Sequence, residues 1–90
     1  MSNAIQITLI GKPGCHLCDD AWTVLSVVVS EFAAAHPSVR LEVDERNMLD
    51  DQDLIARYSE EIPVVLLNGK MHSYWRIDAK RLTAKLEELI

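Results

Sequence analysis

A change of hydrophobic period within the first twenty residues constrains the fold of this chain most strongly. Residues 5–10 are rich in β-branched residues and largely alternate apolar with polar side chains, which is typical of a β-strand. Residues 11–14, Gly-Lys-Pro-Gly, then predict a loop. From Cys15 onward the pattern is helical, and the helix is predicted to end near His36 because Pro37 follows it. Its inward-facing positions are predicted to be Cys18, Trp22, Leu25, Val28 or Val29, and Phe32.

Five further elements are predicted after this helix. A second strand with one buried face contains Val39, Leu41 and Val43 and ends at Asp44. Residues 51–58 predict a short helix, and residues 64–67 and 70–74 predict two strands joined by the hairpin signal Asn68-Gly69. Asp78 is predicted to cap a last helix. The inward positions of the two helices are predicted to be Leu54, Ile55 and Tyr58, then Leu82, Leu86, and Leu89 or Ile90.

The order β-α-β-α-β-β-α predicts an α/β fold in which three helices flank a four-stranded mixed sheet. A right-handed crossover joins the first two strands, and the last two are antiparallel. Ninety residues suffice for one core, so we expect a single domain over residues 1–90. The loop before Cys15 then lies at a carboxyl edge of the sheet, where open α/β folds place their chemistry.

Composition excludes several classes of function. The formal net charge is -5, and no basic patch interleaved with aromatic residues suggests nucleic-acid binding. No stretch resembles a signal peptide or is long and apolar enough to span a bilayer. We therefore expect a cytoplasmic protein, without a membrane partner, that acts as a monomer.

Two cysteines three positions apart cannot stabilise a small fold as a disulfide framework does. The pair Cys15 and Cys18 therefore requires a chemical explanation. At a helix N-terminus, free N–H groups and the helix dipole stabilise a thiolate and lower the pKa of a cysteine. We expect the Cys15 sulfur to accept hydrogen bonds from the N–H groups of Leu17 and Cys18. The spacing predicts Cys15 as the attacking thiolate and Cys18 as the resolving thiol of a thiol-disulfide oxidoreductase.

Two other functions are compatible with the same motif. The thiolates could hold zinc, or an iron-sulfur cluster shared with a second chain, although the remaining zinc ligands would have to come from His16, His36 or His72. Alternatively, the chain is a redox-inactive adaptor that binds a partner strand beside Pro63, with Trp75 as its anchor. We expect no resident metal or organic cofactor.

The sequence resembles the glutaredoxin-like branch of the thioredoxin superfamily. The resemblance rests on Lys-Pro-Gly-Cys-His-Leu-Cys-Asp at residues 12–19, Glu-Ile-Pro-Val-Val at residues 61–65 and Asn-Gly-Lys at residues 68–70. It implies a thioredoxin-like fold and a cis-proline at Pro63 that faces the cysteines. The backbone of Ile62 would then pair with an extended substrate. The substrate-binding residues that it implies are Lys12, Ile62 and Pro63, and we expect His16, Leu17 and Arg76 to contact the substrate as well.

The resemblance also implies the partners of the reaction. The substrate would be a disulfide-containing protein or a glutathione mixed disulfide, and glutathione or a reductase would supply the electrons. Glutaredoxins bind glutathione partly through a Gly-Gly pair before the last helix, but residues 74–78 here are Tyr-Trp-Arg-Ile-Asp. This difference leaves the use of glutathione open, and Arg76 is a candidate to pair with a substrate carboxylate instead.

Overall fold

The computed structural model describes residues 4–90 and contains the predicted α/β architecture. A short 3-10 turn over Met48–Asp50 is the one addition to the predicted order of elements in this part of the chain. No helix within residues 4–90 has the length and apolar character needed to cross a membrane. In chain order the elements are β1 (Ala4–Gly11), α1 (His16–Ala35), β2 (Arg40–Asn47), α2 (Gln52–Tyr58), β3 (Val64–Leu67), β4 (Lys70–Tyr74) and α3 (Ala79–Glu88).

The four strands form one mixed sheet in the order β2-β1-β3-β4. β1 and β2 are parallel, whereas β3 is antiparallel to both β1 and β4, as the hairpin signal predicts. Ile10 pairs with Val64, and Gly11 pairs with Asn47. This register brings the end of β1, the end of β2 and the start of β3 together at the end of the sheet where the two parallel strands terminate.

Apolar side chains cover both faces of the sheet. On one face, α1 and α3 pack against alternate residues of β1, including Ile5, Ile7 and Leu9. On the other face, Ile10, Met48 and Val64 form a smaller cluster with partly buried side chains of and around α2. The predicted inward positions of α2, Leu54, Ile55 and Tyr58, belong to this second cluster.

The buried stripe of α1 differs from the prediction at one position. Its buried residues include Ala21, whereas Trp22 is 40% exposed, so the expectation that Trp22 faces the core is wrong. At about 100° per residue, Trp22 lies about 80° from the centre of the buried stripe. The small Ala21 occupies the buried position instead.

The predicted burial is also wrong in β2 and in the two residues that follow α3. Val43 is 40% exposed because β2 is an edge strand, where neighbouring strands and helices provide cover from one side only. β2 continues past Asp44 to Asn47, since its charged residues can point to solvent at an edge. Leu89 and Ile90 follow the end of α3 and are exposed as well.

The predicted turns and caps are confirmed. Asn68 and Gly69 both have positive φ, 51° and 82°, as a tight two-residue hairpin requires. A carboxylate oxygen of Asp78 accepts a hydrogen bond from the N–H of Arg81 at 3.1 Å and caps α3. α1 ends at Ala35, with His36 as its C-cap.

Candidate active site

Cys15 occupies the N-cap of α1, directly after the loop that follows β1. The N–H of Cys18 donates a hydrogen bond to the Sγ of Cys15 at 3.2 Å. The carbonyl of Cys15 accepts the first helical bond, from the N–H of Asp19 at 3.1 Å. Of the two donors expected from the sequence, Leu17 and Cys18, only Cys18 makes this bond to the sulfur within the described part of the chain. The helix N-terminus is therefore directed at the Cys15 sulfur.

Cys15 and Cys18 form a disulfide in the structure, and their two environments differ. Cys15 is half-buried, whereas only 8% of Cys18 is exposed. Gly11 lies so close to Cys18 that a Cβ at this position would sit 3.0 Å from its Sγ. A substrate disulfide can therefore approach the sulfur of Cys15 more readily than that of Cys18.

Lys12 lies on the β2 side of the cysteines, beside a cavity of about 360 Å³. Arg46 is the second basic residue there, and its guanidinium lies 3.9 Å from the carboxylate of Asp51. Carboxylates outnumber basic groups in the lining, so the attraction of Lys12 for an anion is opposed by nearby negative charge. The charged residues of the lining are Lys12, Asp19, Glu45, Arg46 and Asp50.

Leu17, Trp75 and Arg76 border two further cavities, of about 160 and 340 Å³, on the opposite side of the N-terminus of α1. Leu17 is 38% exposed and Trp75 is 53% exposed. The structure thus brings together two of the predicted substrate-binding residues, Leu17 and Arg76, and adds Trp75 to them.

Trp75 is held in place although its side chain is largely exposed. Its backbone N–H donates to the carbonyl of Pro63 at 2.8 Å, and its indole N–H donates to the carbonyl of Glu60 at 2.9 Å. Its ring meets that of Tyr74 edge-on at 5.0 Å. The φ of Trp75 is 65°, a left-handed conformation that costs a bulky residue about 1–2 kcal/mol. The sequence does not predict this conformation, because glycine and asparagine are the residues that commonly adopt it.

The peptide bond between Ile62 and Pro63 is cis, and Pro63 is buried. Because Ile10 pairs with Val64, Pro63 lies at the same end of the sheet as Gly11, which contacts Cys18. The N–H of Ile62 donates to the carbonyl of Tyr58 at 3.1 Å. The carbonyl of Ile62 has no hydrogen-bond partner within residues 4–90, so it is the backbone group at this position that can accept a bond from a substrate.

The three histidines lie apart from one another. His16 is exposed in the first turn of α1, whereas His36 ends that helix and stacks on Phe32 with ring centroids 4.4 Å apart. His72 lies on β4, and burial together with the charges of Arg81 and Lys85 lowers its pKa below 6.5. Within residues 4–90, no three histidine, cysteine or acidic side chains are grouped so that they could hold a metal ion.

The mixed sheet, the flanking helices and a Cys-x-x-C pair at the start of α1 define a protein of the thioredoxin-like fold. Residues 6–87 match the family described as Glutaredoxin-like domain (DUF836). The chain belongs to this family. It is also 32% identical over 81 residues to uncharacterized proteins of Mycobacterium tuberculosis and Mycobacterium bovis, covering 90% of this chain and 81% of theirs.

Solved structures share this fold. An X-ray structure of a structural genomics target from X. campestris is 30% identical in sequence and matches with a TM-score of 0.66. The match covers 91% of this chain and 96% of the X. campestris chain. A solution structure of a Nitrosomonas europaea protein is 23% identical, covers 90% of this chain and 89% of its own, and has a TM-score of 0.69. Chloroplastic thioredoxin z shares the fold at 14% identity and a TM-score of 0.73, over 97% of this chain and 79% of its own.

Proposed function

We propose that the protein is a thiol-disulfide oxidoreductase in which Cys15 is the nucleophile and Cys18 the resolving thiol. The observation that carries this proposal is the hydrogen bond from the N–H of Cys18 to the Sγ of Cys15 at the N-cap of α1. An N–H donor and the positive end of the helix dipole both favour the thiolate over the thiol. The lower exposure of Cys18 supports the division of roles between the two sulfurs.

The reaction proceeds by two exchanges of thiolate for disulfide. The Cys15 thiolate attacks one sulfur of the substrate disulfide, forms a mixed disulfide and releases the other sulfur as a thiolate that takes up a proton. Cys18 then loses its proton and attacks the Cys15 sulfur, which releases the second substrate thiol. The substrate gains two electrons and two protons, and the protein is left with the Cys15–Cys18 disulfide. An external thiol donor must reduce this disulfide before the next cycle.

The proposed substrates are protein disulfides or glutathione mixed disulfides, and the proposed donor is glutathione or a reductase of the cytoplasm. We assign substrate contacts to both sides of Cys15. Lys12 attracts a carboxylate of the substrate, the Ile62 carbonyl beside Pro63 accepts a backbone N–H, and Arg76 offers a second contact for a carboxylate. His16 and Leu17 flank the reacting sulfur. No resident cofactor is part of the proposal.

An assay of disulfide reduction tests the proposed function directly. With insulin as the disulfide substrate and dithiothreitol as the donor, we expect the wild-type chain to accelerate reduction and Cys15→Ser to lower the rate to background. Thr23→Ser, in the next turn of the same helix, is the matched control and should retain the wild-type rate. Full activity of Cys15→Ser would contradict the proposal.

A second candidate function is a redox-inactive adaptor, favoured by the exposed but rigidly held indole of Trp75. An adaptor would bind its partner through Trp75 and the backbone beside Pro63, without any need for the thiols. The test uses a protein partner that the wild-type chain binds. If a Cys15→Ser, Cys18→Ser double variant binds that partner with wild-type affinity, the result supports the adaptor. Loss of stable capture in that double variant would support the oxidoreductase.

A further inference from the structure

The charge of the chain is distributed unevenly. Residues 70–90 contain five of the nine basic residues and only three of the fourteen acidic residues, so they carry a formal charge of +2. Residues 1–69 carry -7 on the same count. β4 and α3 lie in this positively charged C-terminal segment.

Three of these basic residues surround one cavity of about 500 Å³ between β4 and α3. They are Lys70, Arg81 and Lys85, and His72 lines the same cavity. Arg81 donates a hydrogen bond through Nη2 to the carbonyl of His72 at 3.2 Å, which holds its guanidinium at the cavity. Among the described residues, none of the three forms an ion pair, although Glu88 also lines the cavity.

His72 lies beside two of these basic groups, Arg81 and Lys85. The imidazole is partly buried, and both Arg81 and Lys85 disfavour its protonated form, so its pKa lies below the usual value. Three basic side chains and one carboxylate, that of Glu88, thus line the same space, and positive charge is in excess there. Such an arrangement attracts an anionic partner.

The cavity is not purely polar. Leu67 contributes to its wall, and Met71 and Leu89 contribute side chains that are exposed to solvent. A simple phosphate anion would leave Met71 and Leu89 uncovered, whereas a protein segment with both carboxylates and apolar side chains would contact both the charged and the apolar parts of the surface.

The cavity is remote from the cysteines. The Oδ1 atom of Asn68, in the β3–β4 turn, accepts a hydrogen bond from the N–H of Gln6 at 2.9 Å. The turn and Lys70 therefore lie near the start of β1, whereas the cysteines lie beyond its end at Gly11. Binding at the basic cavity would leave the proposed redox site open.

We infer that the cavity lined by Lys70, Arg81 and Lys85 is a docking site for an acidic protein segment that also carries apolar side chains. The carboxylates of the segment pair with the three basic groups, and its apolar side chains cover Met71 and Leu89. This site is separate from the proposed oxidoreductase function and does not depend on it.

A binding titration of the full chain tests this inference. The probe is a fluorescein-labelled peptide that repeats Glu-Leu-Glu-Ser, and its anisotropy is measured at low ionic strength, about 0.05 M, where screening is weak. We expect saturable binding that weakens as salt is added. Lys70→Gln combined with Lys85→Gln should weaken binding by about tenfold or more.

Lys80→Gln combined with Arg57→Gln is the matched control, because it removes two positive charges that do not line the cavity. This variant should bind the probe within about twofold of the wild type. A titration of His72 followed by NMR provides a second readout, since the bound carboxylates should raise its pKa. Thermal unfolding checks that both double variants are folded, and both should retain wild-type disulfide reduction.

Several outcomes would overturn the inference. They are the absence of saturable binding, an equal loss of affinity in both double variants, and equal affinity for a peptide that has glycine in place of leucine. Self-association of the wild type in sedimentation that is lost in Lys70→Gln with Lys85→Gln would identify a second copy of the chain as the occupant, which also contradicts the inference.

Discussion

The Sγ of Cys15 accepts a hydrogen bond from the backbone N–H of Cys18 at 3.2 Å. In the proposed mechanism, Cys18 thus supplies both a hydrogen-bond donor for the attacking sulfur and the thiol that resolves the mixed disulfide. This double use requires Cys15 at the N-cap, because the N–H of Cys18, at the third helical position, is then free of intrahelical bonds and within reach of the Cys15 sulfur.

Asp19→Asn should make Cys15 more reactive in the reduced protein. Asp19 lies in the first turn of α1, where its negative charge opposes a thiolate at the N-cap. We expect the rate of alkylation by iodoacetamide at neutral pH to rise about twofold, as a partly screened charge would cause. Asp53→Asn, in the first turn of α2, is the control and should leave the rate unchanged. A slower reaction of Asp19→Asn would contradict this electrostatic argument.

Gly11→Ala should disturb the contact between β1 and the resolving cysteine. The added Cβ would lie 3.0 Å from the Sγ and 3.1 Å from the Cβ of Cys18. We expect a loss of about 1–3 kcal/mol in the free energy of unfolding by urea, as overpacking of a buried site commonly costs. In a Cys18→Ala background the loss should be smaller because the sulfur is absent. Equal losses in the two backgrounds would mean that the sulfur is not the limiting contact.

Ser73→Ala should stabilise the protein. Ser73 is only 7% exposed, and its hydroxyl has no hydrogen-bond partner within the described residues. Because an unsatisfied buried polar group costs about 1–3 kcal/mol, we expect its removal to raise the free energy of unfolding by about 1 kcal/mol. Urea unfolding measures the change. Thr83→Ala on α3 is a useful contrast, since Thr83 donates its hydroxyl to the carbonyl of Ala79. A destabilised Ser73→Ala variant would show that this hydroxyl is satisfied in solution.

His72 should make stability fall as the solution becomes acidic. Its pKa in the folded chain is lowered by burial and by Arg81 and Lys85, so between the two pKa values the unfolded chain binds more protons than the folded one. The contribution of neutral His72 is therefore fully present above about pH 6.5 and is lost as the pH falls below that value. His72→Gln should flatten this part of the urea stability profile. An unchanged profile in His72→Gln would contradict the assignment.

Local signals in the sequence predict much of this structure. Pro37 marks the end of α1, Asn68-Gly69 marks the hairpin, and Asp78 marks the start of α3, because each acts through its own backbone chemistry. The pair Cys15 and Cys18 likewise predicts a site at the start of a helix. These features depend on residues close together in the chain.

Features that depend on tertiary packing are predicted poorly. The exposure of Trp22 follows from the direction in which α1 lies on the sheet, and that of Val43 follows from the place of β2 at the edge. Met48 is buried by a second cluster that the periodicity does not reveal. The position of Trp75 depends on carbonyl groups of Glu60 and Pro63, which are far away in the sequence. Periodicity contains no information on such partners.

The most direct test of the central claim is the mass of the adduct formed when a small symmetric aromatic disulfide reacts with the reduced protein. We expect a stable mixed disulfide on Cys15 in Cys18→Ser, and release of two thiols with an intramolecular disulfide in the wild type. We also expect far slower reaction of Cys15→Ser. An adduct that forms as fast on Cys18 of the Cys15→Ser variant would contradict the assignment of Cys15 as the nucleophile.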